Sequence, residues 1–346
     1  MSLRIGLAGA GFMGSVHADA WRQIDDAEIC AVCDPRLPPG TVNEVGEEAL
    51  AYLSNRGALP SLPPQTRFFH DFSRFLSYAK IDIVDICTPT DLHESLTIKA
   101  LEAGFPVFCE KPMALTVDGA HRMIESKDKY QQPLGIGQCL RFWPAYVEAK
   151  RFVDENVYGA VLFARFERYS APPPWSIENW MMSKKRSGGA LLDLHIHDVD
   201  LVHYIFGWPD SVTSLGITGG ESAGLGVRHI NTVYGFDGPI VESAGGWSVT
   251  DSYGFRMEML IGFEKATVRY DSKADGALMV YPESGDAFSP ALDERDGYYH
   301  ELADFAREVE EGESSGIVTP ESAARSVELA LLEERSVLEK RILMTT

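Results

Sequence analysis

The sequence predicts an α/β chain in two parts: a doubly wound parallel sheet at the N-terminus, then an α+β part with a large, mainly antiparallel open sheet. Three observations carry this expectation. In the first third, near-continuously apolar runs alternate with helix-like segments, as expected of strands covered by helices on both faces. After Lys129 the runs change to apolar residues alternating with charged ones, as in AVLFARFERYS, which suits strands with one solvated face. A chain of 346 residues at 45% apolar composition also has material for two cores. The division is placed between residues 1–130 and 131–346.

In order, the first part reads LRIGLAGA, a helix from Gly14 to Gln23, AEICAVCDP, and a helix near Val42 to Asn55. IDIVDICTP, a helix over Asp91 to Ala103, PVFCEKP and a helix from Thr116 to Lys129 continue the alternation. Five prolines from Pro38 to Pro64 mark an excursion in the second strand–helix unit, residues 38–64. The second part reads QPLGIGQCLRFWP, a helix from Ala145 to Val157, and then AVLFARFERYS, NTVYGFDG, PIVESAGGWSVT, YGFRMEMLIGF and ATVRYD with short turns between them. Helices from Tyr298 to Glu311 and from Pro320 to Lys340 close the chain, the latter capped by Thr319 with proline at its first position.

With 31 basic and 51 acidic residues the formal charge is −20, which repels phosphate backbones and acidic membrane surfaces. Nucleic acid is not an expected partner. No apolar stretch reaches the ~18–20 residues of a membrane span, and the chain enters a strand at Leu3 without a basic, apolar leader, so no membrane and a cytoplasmic location are expected. The five cysteines, Cys30, Cys33, Cys87, Cys109 and Cys139, read as reduced buried thiols. Cys30 and Cys33 face opposite sides of a strand and have no second pair, so neither zinc nor redox chemistry is expected of them.

The stretch GLAGAGFMG places Gly9, Gly11 and Gly14 in G-x-G-x-x-G spacing between a strand and a helix, with Asp34 at the end of the next strand. That context makes the motif a dinucleotide fingerprint and the first part a Rossmann domain. Gly9 permits the tight turn, Gly11 lets backbone amides approach a pyrophosphate, and Gly14 lets the helix pack on the strand. Phe12 and Met13 lie inside the same turn. Asp34 would bind the adenosine ribose hydroxyls and repel a 2′-phosphate, favouring NAD; Arg36 leaves NADP possible.

PTDLHESLTIKALEAGFPVFCEKPMALT (89–116) and SGGALLDLHIHDVDLVHYIFG (187–207) resemble the family of glucose-fructose oxidoreductases, inositol dehydrogenases and their relatives, the Gfo/Idh/MocA family. The ordered matches are the fingerprint, Asp34, the Thr88-Pro89 turn, Glu110-Lys111-Pro112 and the Asp193–Asp198 segment. The resemblance implies an NAD(P)-dependent oxidoreductase acting on a sugar, a cyclitol or a related polyol, with a Rossmann domain followed by an open antiparallel sheet. It also implies cofactor-side roles around Thr88, Pro89, Thr90, His93, Glu110 and Lys111, and a homodimer or homotetramer through the exposed sheet face.

Lys111 follows a strand that would deliver it to the carboxyl edge of the sheet, where its ammonium can stabilise developing alkoxide charge. If GGALLDLHIHDVDL (188–201) is helical, Asp193 and His197 lie four apart and share a face while His195 points elsewhere. His197 suits a general base and Asp193 an orienting partner, the roles the resemblance gives to an Asp-x-x-x-His pair. His195 and His203 read as interior residues. A metal held among Asp193, His195, His197, Asp198, Asp200 and His203 is disfavoured because His195 and His197 lack one-face spacing. Gln138, Arg141, Trp143, Trp175, Trp180 and Tyr253 are lesser candidates for a polyol pocket, more readily read as packing. A redox-assisted glycosidase, a ligand-sensing regulator on the same fold and a metal-dependent hydrolase are the competing chemistries.

Overall fold

The computed structural model describes residues 2–37, 62–78, 80–173, 176–218, 224, 226–274 and 278–345. The helix expected near Val42 to Asn55, most of the 38–64 excursion, and Trp175 lie outside the described residues. The chain divides into two compact units, Met1–Cys139 with Arg295–Ala324, and Leu140–Glu294 with Arg325–Thr346. The helices are α1 (Phe12–Trp21), α2 (Phe72–Leu76), α3 (His93–Glu102), α4 (Val117–Tyr130), α5 (Pro144–Asp154), α6 (Lys184–Ser187), α7 (Ile196–Phe206), α8 (Gly297–Glu311) and α9 (Pro320–Glu339). Among the described residues, no helix is long and apolar enough to cross a membrane.

The first unit holds six parallel strands, β1 (Leu3–Ala8), β2 (Ala27–Cys33), β3 (Arg67–Phe69), β4 (Ile83–Ile86), β5 (Val107–Glu110) and β6 (Leu134–Gly137). Their order, β3-β2-β1-β4-β5-β6, reverses direction between β1 and β4, which opens a crevice at the carboxyl ends of those two strands. The apolar strand runs are buried on both faces, as the sequence requires. Ile5, Leu7, Ile29, Val32, Ile83 and Phe108 pack with Trp21, Leu302 and Phe305; Val84, Ile86, Val107 and Cys109 pack with Ala100, Leu101, Ala120 and Met123. Each such fully buried large side chain contributes about 1.5–3 kcal/mol.

Two boundaries differ from the sequence expectation. Strand β6 lies beyond residue 130 yet completes the parallel sheet, and α8, near the far end of the chain, returns to the same unit. The return is close: a Cβ on Gly135 would stand 2.7 Å from both Phe108 and Phe305. Strand β3 and helix α2 were too short to give a periodic signal. The helix ends follow cap chemistry: the Thr116 hydroxyl accepts from Gly119 N at 3.0 Å, Asp296 from Tyr299 N at 3.0 Å and Thr319 from Ser322 N at 3.1 Å.

The second unit is built on β7 (Val161–Tyr169), β8 (Ser211–Thr218), β9 (Val227–Gly235), β10 (Ile240–Gly246), β11 (Arg256–Phe263), β12 (Ala266–Asp271), β13 (Leu278–Pro282) and β14 (Leu343–Met344). They form one sheet in the order β13-β12-β11-β7-β10-β9-β8-β14, antiparallel except for the β10–β7 pair. Strand β8 escaped the sequence reading because SVTSLGIT exposes Leu215 and Ile217 on the face where polar residues are expected. The inner face carries Phe166, Tyr234, Met259 and Val268, and the described residues of this unit include two buried arginine–aspartate pairs. Arg168 donates to both oxygens of Asp198 (3.0 and 3.1 Å), and Arg141 to both oxygens of Asp200 (2.8 and 2.7 Å).

Removing one member of such a pair leaves an uncompensated interior charge. Asp198→Ala is expected to lower unfolding stability by about 3–5 kcal/mol, measured by urea denaturation of the intact chain; a loss below about 1 kcal/mol would show that Arg168 finds another acceptor.

Candidate active site

Steric exclusion builds the turn after β1. Gly9 has φ +100°, and a Cβ there would stand 2.4 Å from the carbonyl oxygen of Cys87; at Gly14 it would stand 2.1 Å from the carbonyl oxygen of Gly9. Both positions therefore require glycine. A Cβ on Gly11 would meet nothing within 4 Å, and Gly11 caps α1 without a side-chain acceptor for the first-turn amides. Open space in front of the N–H groups at the positive end of a helix is what a pyrophosphate requires. Phe12 is 63% exposed beside it, and Met13 is half-buried.

Asp34 stands just past β2 and is 2% exposed. Its carboxylate accepts from Ala10 N (2.9 Å), from Arg36 N (2.9 Å) and from Arg36 Nε (2.7 Å), with a further bond from Arg36 Nη2. Asp34 is thus no lone negative charge facing the ribose, as the sequence suggested: the Arg36 guanidinium neutralises it.

The turn after β4 forms the other wall of the crevice. Thr88 presents a buried hydroxyl with no hydrogen-bond partner, Pro89 precedes a short 3₁₀ turn from Thr90, and Thr90 is buried. His93 lies behind it, Nδ1 2.8 Å from the carbonyl oxygen of Pro112 and Nε2 2.9 Å from that of Thr88. Burial lowers its pKa. His93 therefore ties the Thr88 turn to the Lys111-Pro112 turn through main-chain atoms. Gly11 at the open start of α1, Asp34 and the Thr88 hydroxyl together fit a dinucleotide.

Strand β5 ends on Glu110, which is 4% exposed, and delivers the half-buried Lys111 to the carboxyl edge of the sheet, one strand from β4. Glu110 Oε2 accepts from the Lys111 amide at 2.8 Å. Gly137 on the adjacent strand makes room for this carboxylate: a Cβ there would lie 3.3 Å from Glu110 Cδ.

In the second unit, Leu191–His195 is a π-helical turn that runs directly into α7. π turns inside helices recur at functional sites. In either kind of turn four residues come close to one revolution, so Asp193, 9% exposed, and the half-buried His197 lie on adjoining faces. His195 is wholly buried, Nε2 3.0 Å from Glu333 Oε2 and 3.2 Å from Ser243 Oγ. Glu333 in turn accepts from Tyr234. His195, Asp198 and Asp200 are thereby committed to interior networks, with Ser326 also donating to Asp200 at 2.7 Å, which removes three of the six residues weighed for a metal. His203 is half-buried against Trp208.

Of the lesser candidates, Arg141 belongs to the Asp200 pair, Gln138 is buried, Trp143 and Trp180 are half-buried, and Tyr253 packs edge-to-face on Tyr169. All five cysteines are buried and none is in a disulfide, and burial pushes the Cys30 and Cys33 thiols up to about 12. The sequence reading missed a buried group around His17, Asp85 and Glu301. Its signals were a histidine three residues past the fingerprint and acidic residues inside apolar runs.

The family description "Oxidoreductase family, NAD-binding Rossmann fold" matches residues 3–138, and "GFO/IDH/MocA C-terminal domain" matches residues 146–269. A myo-inositol 2-dehydrogenase of Thermotoga maritima is 28% identical over 98% of this chain and 97% of its own. An inositol 2-dehydrogenase of Rhizobium meliloti is 28% identical over 99% and 98%. A solved structure of a probable dehydrogenase from Thermotoga maritima superposes with a TM-score of 0.78 at 25% identity, covering 99% of this chain and 98% of that one. The chain belongs to the GFO/IDH/MocA oxidoreductase family, and its parallel-sheet unit is an NAD-binding Rossmann domain.

Proposed function

We propose that the protein oxidises a hydroxyl-bearing carbon of a sugar, a cyclitol or a related polyol, with Lys111, Asp193 and His197 as its catalytic residues. The observation that carries this reading is the placement of Lys111 at the carboxyl edge of the parallel sheet, beside the strand whose turn walls the dinucleotide crevice. The relatives named inositol 2-dehydrogenases, similar over nearly the whole chain, support the substrate class. Bound NAD supplies the hydride acceptor. Lys111 donates a hydrogen bond to the reacting oxygen as charge develops on it. His197 accepts the hydroxyl proton, and Asp193 orients the imidazole or the same hydroxyl. Gly9, Gly11, Phe12, Met13 and Gly14, with Asp34, Arg36, Thr88, Pro89 and Thr90, line the cofactor side, and Glu110 and His93 hold its turns. Five buried thiols outside any disulfide suit a reducing cytoplasm.

The outer face of the second sheet supports self-association: Leu215 (76% exposed), Ile217 (50%), Val233 (49%) and Ile240 (63%) form an apolar strip along three neighbouring strands. Strips of this kind mark interaction surfaces, and we read this one as the homodimer or homotetramer contact. Leu215→Asp with Ile240→Asp is expected to yield monomers in sedimentation velocity; an unchanged assembly would place the contact elsewhere.

A panel of inositols, aldoses and sugar acids with NAD⁺ is expected to give nicotinamide reduction with at least one member. Lys111→Ala should lower kcat by about 10²- to 10³-fold and His197→Ala by about 10²- to 10⁴-fold, while NAD⁺ binding measured by calorimetry changes little. Variants that retain full turnover would overturn these roles. Because Arg36 neutralises Asp34, NADP⁺ should also be accepted, and Arg36→Ala should weaken NADP⁺ relative to NAD⁺ by about 10- to 100-fold, the worth of one charge-assisted bond. An unaltered cofactor ratio would leave Arg36 as a support for Asp34 alone.

A further inference from the structure

One histidine and three carboxyl side chains meet inside the first unit, behind the turn that presents Lys111. His17 on α1 is wholly buried; its Nδ1 lies 3.0 and 3.1 Å from the two oxygens of Asp85, and its Nε2 lies 3.0 Å from Glu110 Oε1. Trp21 Nε1 donates to Asp85 at 2.8 Å, and Cys87 Sγ stands 3.2 Å from His17 Nδ1. Phe108 and Tyr298 flank the imidazole. The fourth group is Glu301 on α8. It is 2% exposed, neither of its oxygens has a hydrogen-bond partner, and its carboxyl shares a 4.8 Å neighbourhood with His17 Nε2 and Glu110.

The bonding pattern assigns the protons. An imidazole with a carboxylate against each nitrogen donates from both, so His17 is an imidazolium. Burial opposes that charge, but Asp85 and then Cys87 outweigh it and hold its pKa well above the usual range. A protonated Nε2 is no metal ligand. Glu110 accepts at both oxygens, from His17 and from the Lys111 amide. A second, donor-less carboxyl beside it in the interior cannot also be ionised.

We propose that Glu301 is a positioning residue for Lys111: it keeps its proton, and so leaves Glu110 free to hold both His17 and the main-chain amide of Lys111. Loss of that proton sets a second carboxylate against Glu110 and draws the His17 donor away. The groups facing Glu301 are His17 from α1, Asp85 from β4, Glu110 from β5, and Asp296 and Tyr298 in the first turn of its own helix. Burial first, and then Glu110, raise its pKa well above the ordinary carboxyl range. The native state therefore holds a proton that the unfolded chain releases. The associated stability is complete below the ordinary carboxyl range and drains as pH rises through the native value.

The functional importance of Lys111 rests on the reading above, so the test needs no substrate. In the ¹⁵N-lysine-labelled full chain, the Lys111 amide resonance, assigned through Lys111→Arg, should move on alkaline titration in the wild type and stay flat in Glu301→Gln. The melting temperature of Glu301→Gln should exceed that of the wild type by a margin that widens from about pH 5 to about pH 8. A margin independent of pH, or an amide that titrates alike in both proteins, would make Glu301 a packing residue and overturn the proposal. Zn²⁺ or Mg²⁺ alone raising the melting temperature of the wild type but not of Glu301→Gln would overturn it in favour of a cation site. Should Glu301→Gln not fold, the wild-type titration decides: a Lys111 amide indifferent to pH refutes the coupling. Absence of turnover with every polyol, with the amide titrating as expected, would count against the dehydrogenase reading and leave this one standing.

Discussion

The carbonyl oxygen of Gly9 occupies the space in which any side chain at position 14 would begin. That approach, 2.1 Å to an imagined Cβ, sets how near the start of α1 comes to the end of β1, and it is possible only with glycine at the third position of the fingerprint. The rest of the cofactor side follows from it. The helix N-terminus comes to the carboxyl edge of the sheet where strand order reverses. On its inner side the same helix carries His17 and Trp21 down to the Asp85 carboxylate. A steric constraint at one turn thus orients a ligand-binding end and a buried polar cluster together.

Those two consequences differ in electrostatic character. The crevice keeps the Thr88 hydroxyl without a partner, so that something else can satisfy it. The interior does the reverse: His17, Asp85 and Glu110 answer one another, as do Arg168 with Asp198 and Arg141 with Asp200 in the second unit. Interior polar networks of this kind favour a single arrangement, because any displacement leaves a charge without its partner. Lys111 stands at the junction of the two regimes, its amide bound inward to Glu110 and its side chain half-buried at the sheet edge.

Much of this was legible in the residues. Apolar runs set the order of the parallel strands, the glycine spacing located the cradle, and Thr319-Pro320 marked the last helix, because each signal is local and periodic. Strands β3 and β14 were not legible: at three and two residues they are shorter than any period. Strand β8 broke the alternation rule because its outward face is apolar. The π turn before α7 could not be read, since nothing in LLDLH distinguishes a wide turn from an ordinary one. The pairing of Asp34 with Arg36 was visible as spacing but not as geometry, and it is geometry that decides whether that carboxylate meets a cofactor charged or neutralised.

The first unit is discontinuous in sequence, since α8 supplies Phe305 against Gly135 and Phe108, and Glu301 beside His17. A chain made from its N-terminus therefore releases all six parallel strands before the helix that covers them exists. Until about residue 311 has left the ribosome, Phe108 and the His17 imidazole lack that cover, and the nascent sheet depends on shelter from elsewhere. The order of translation thus leaves the cofactor-binding unit, though its strands precede the second unit in the chain, unable to finish folding until most of the second unit has been synthesised.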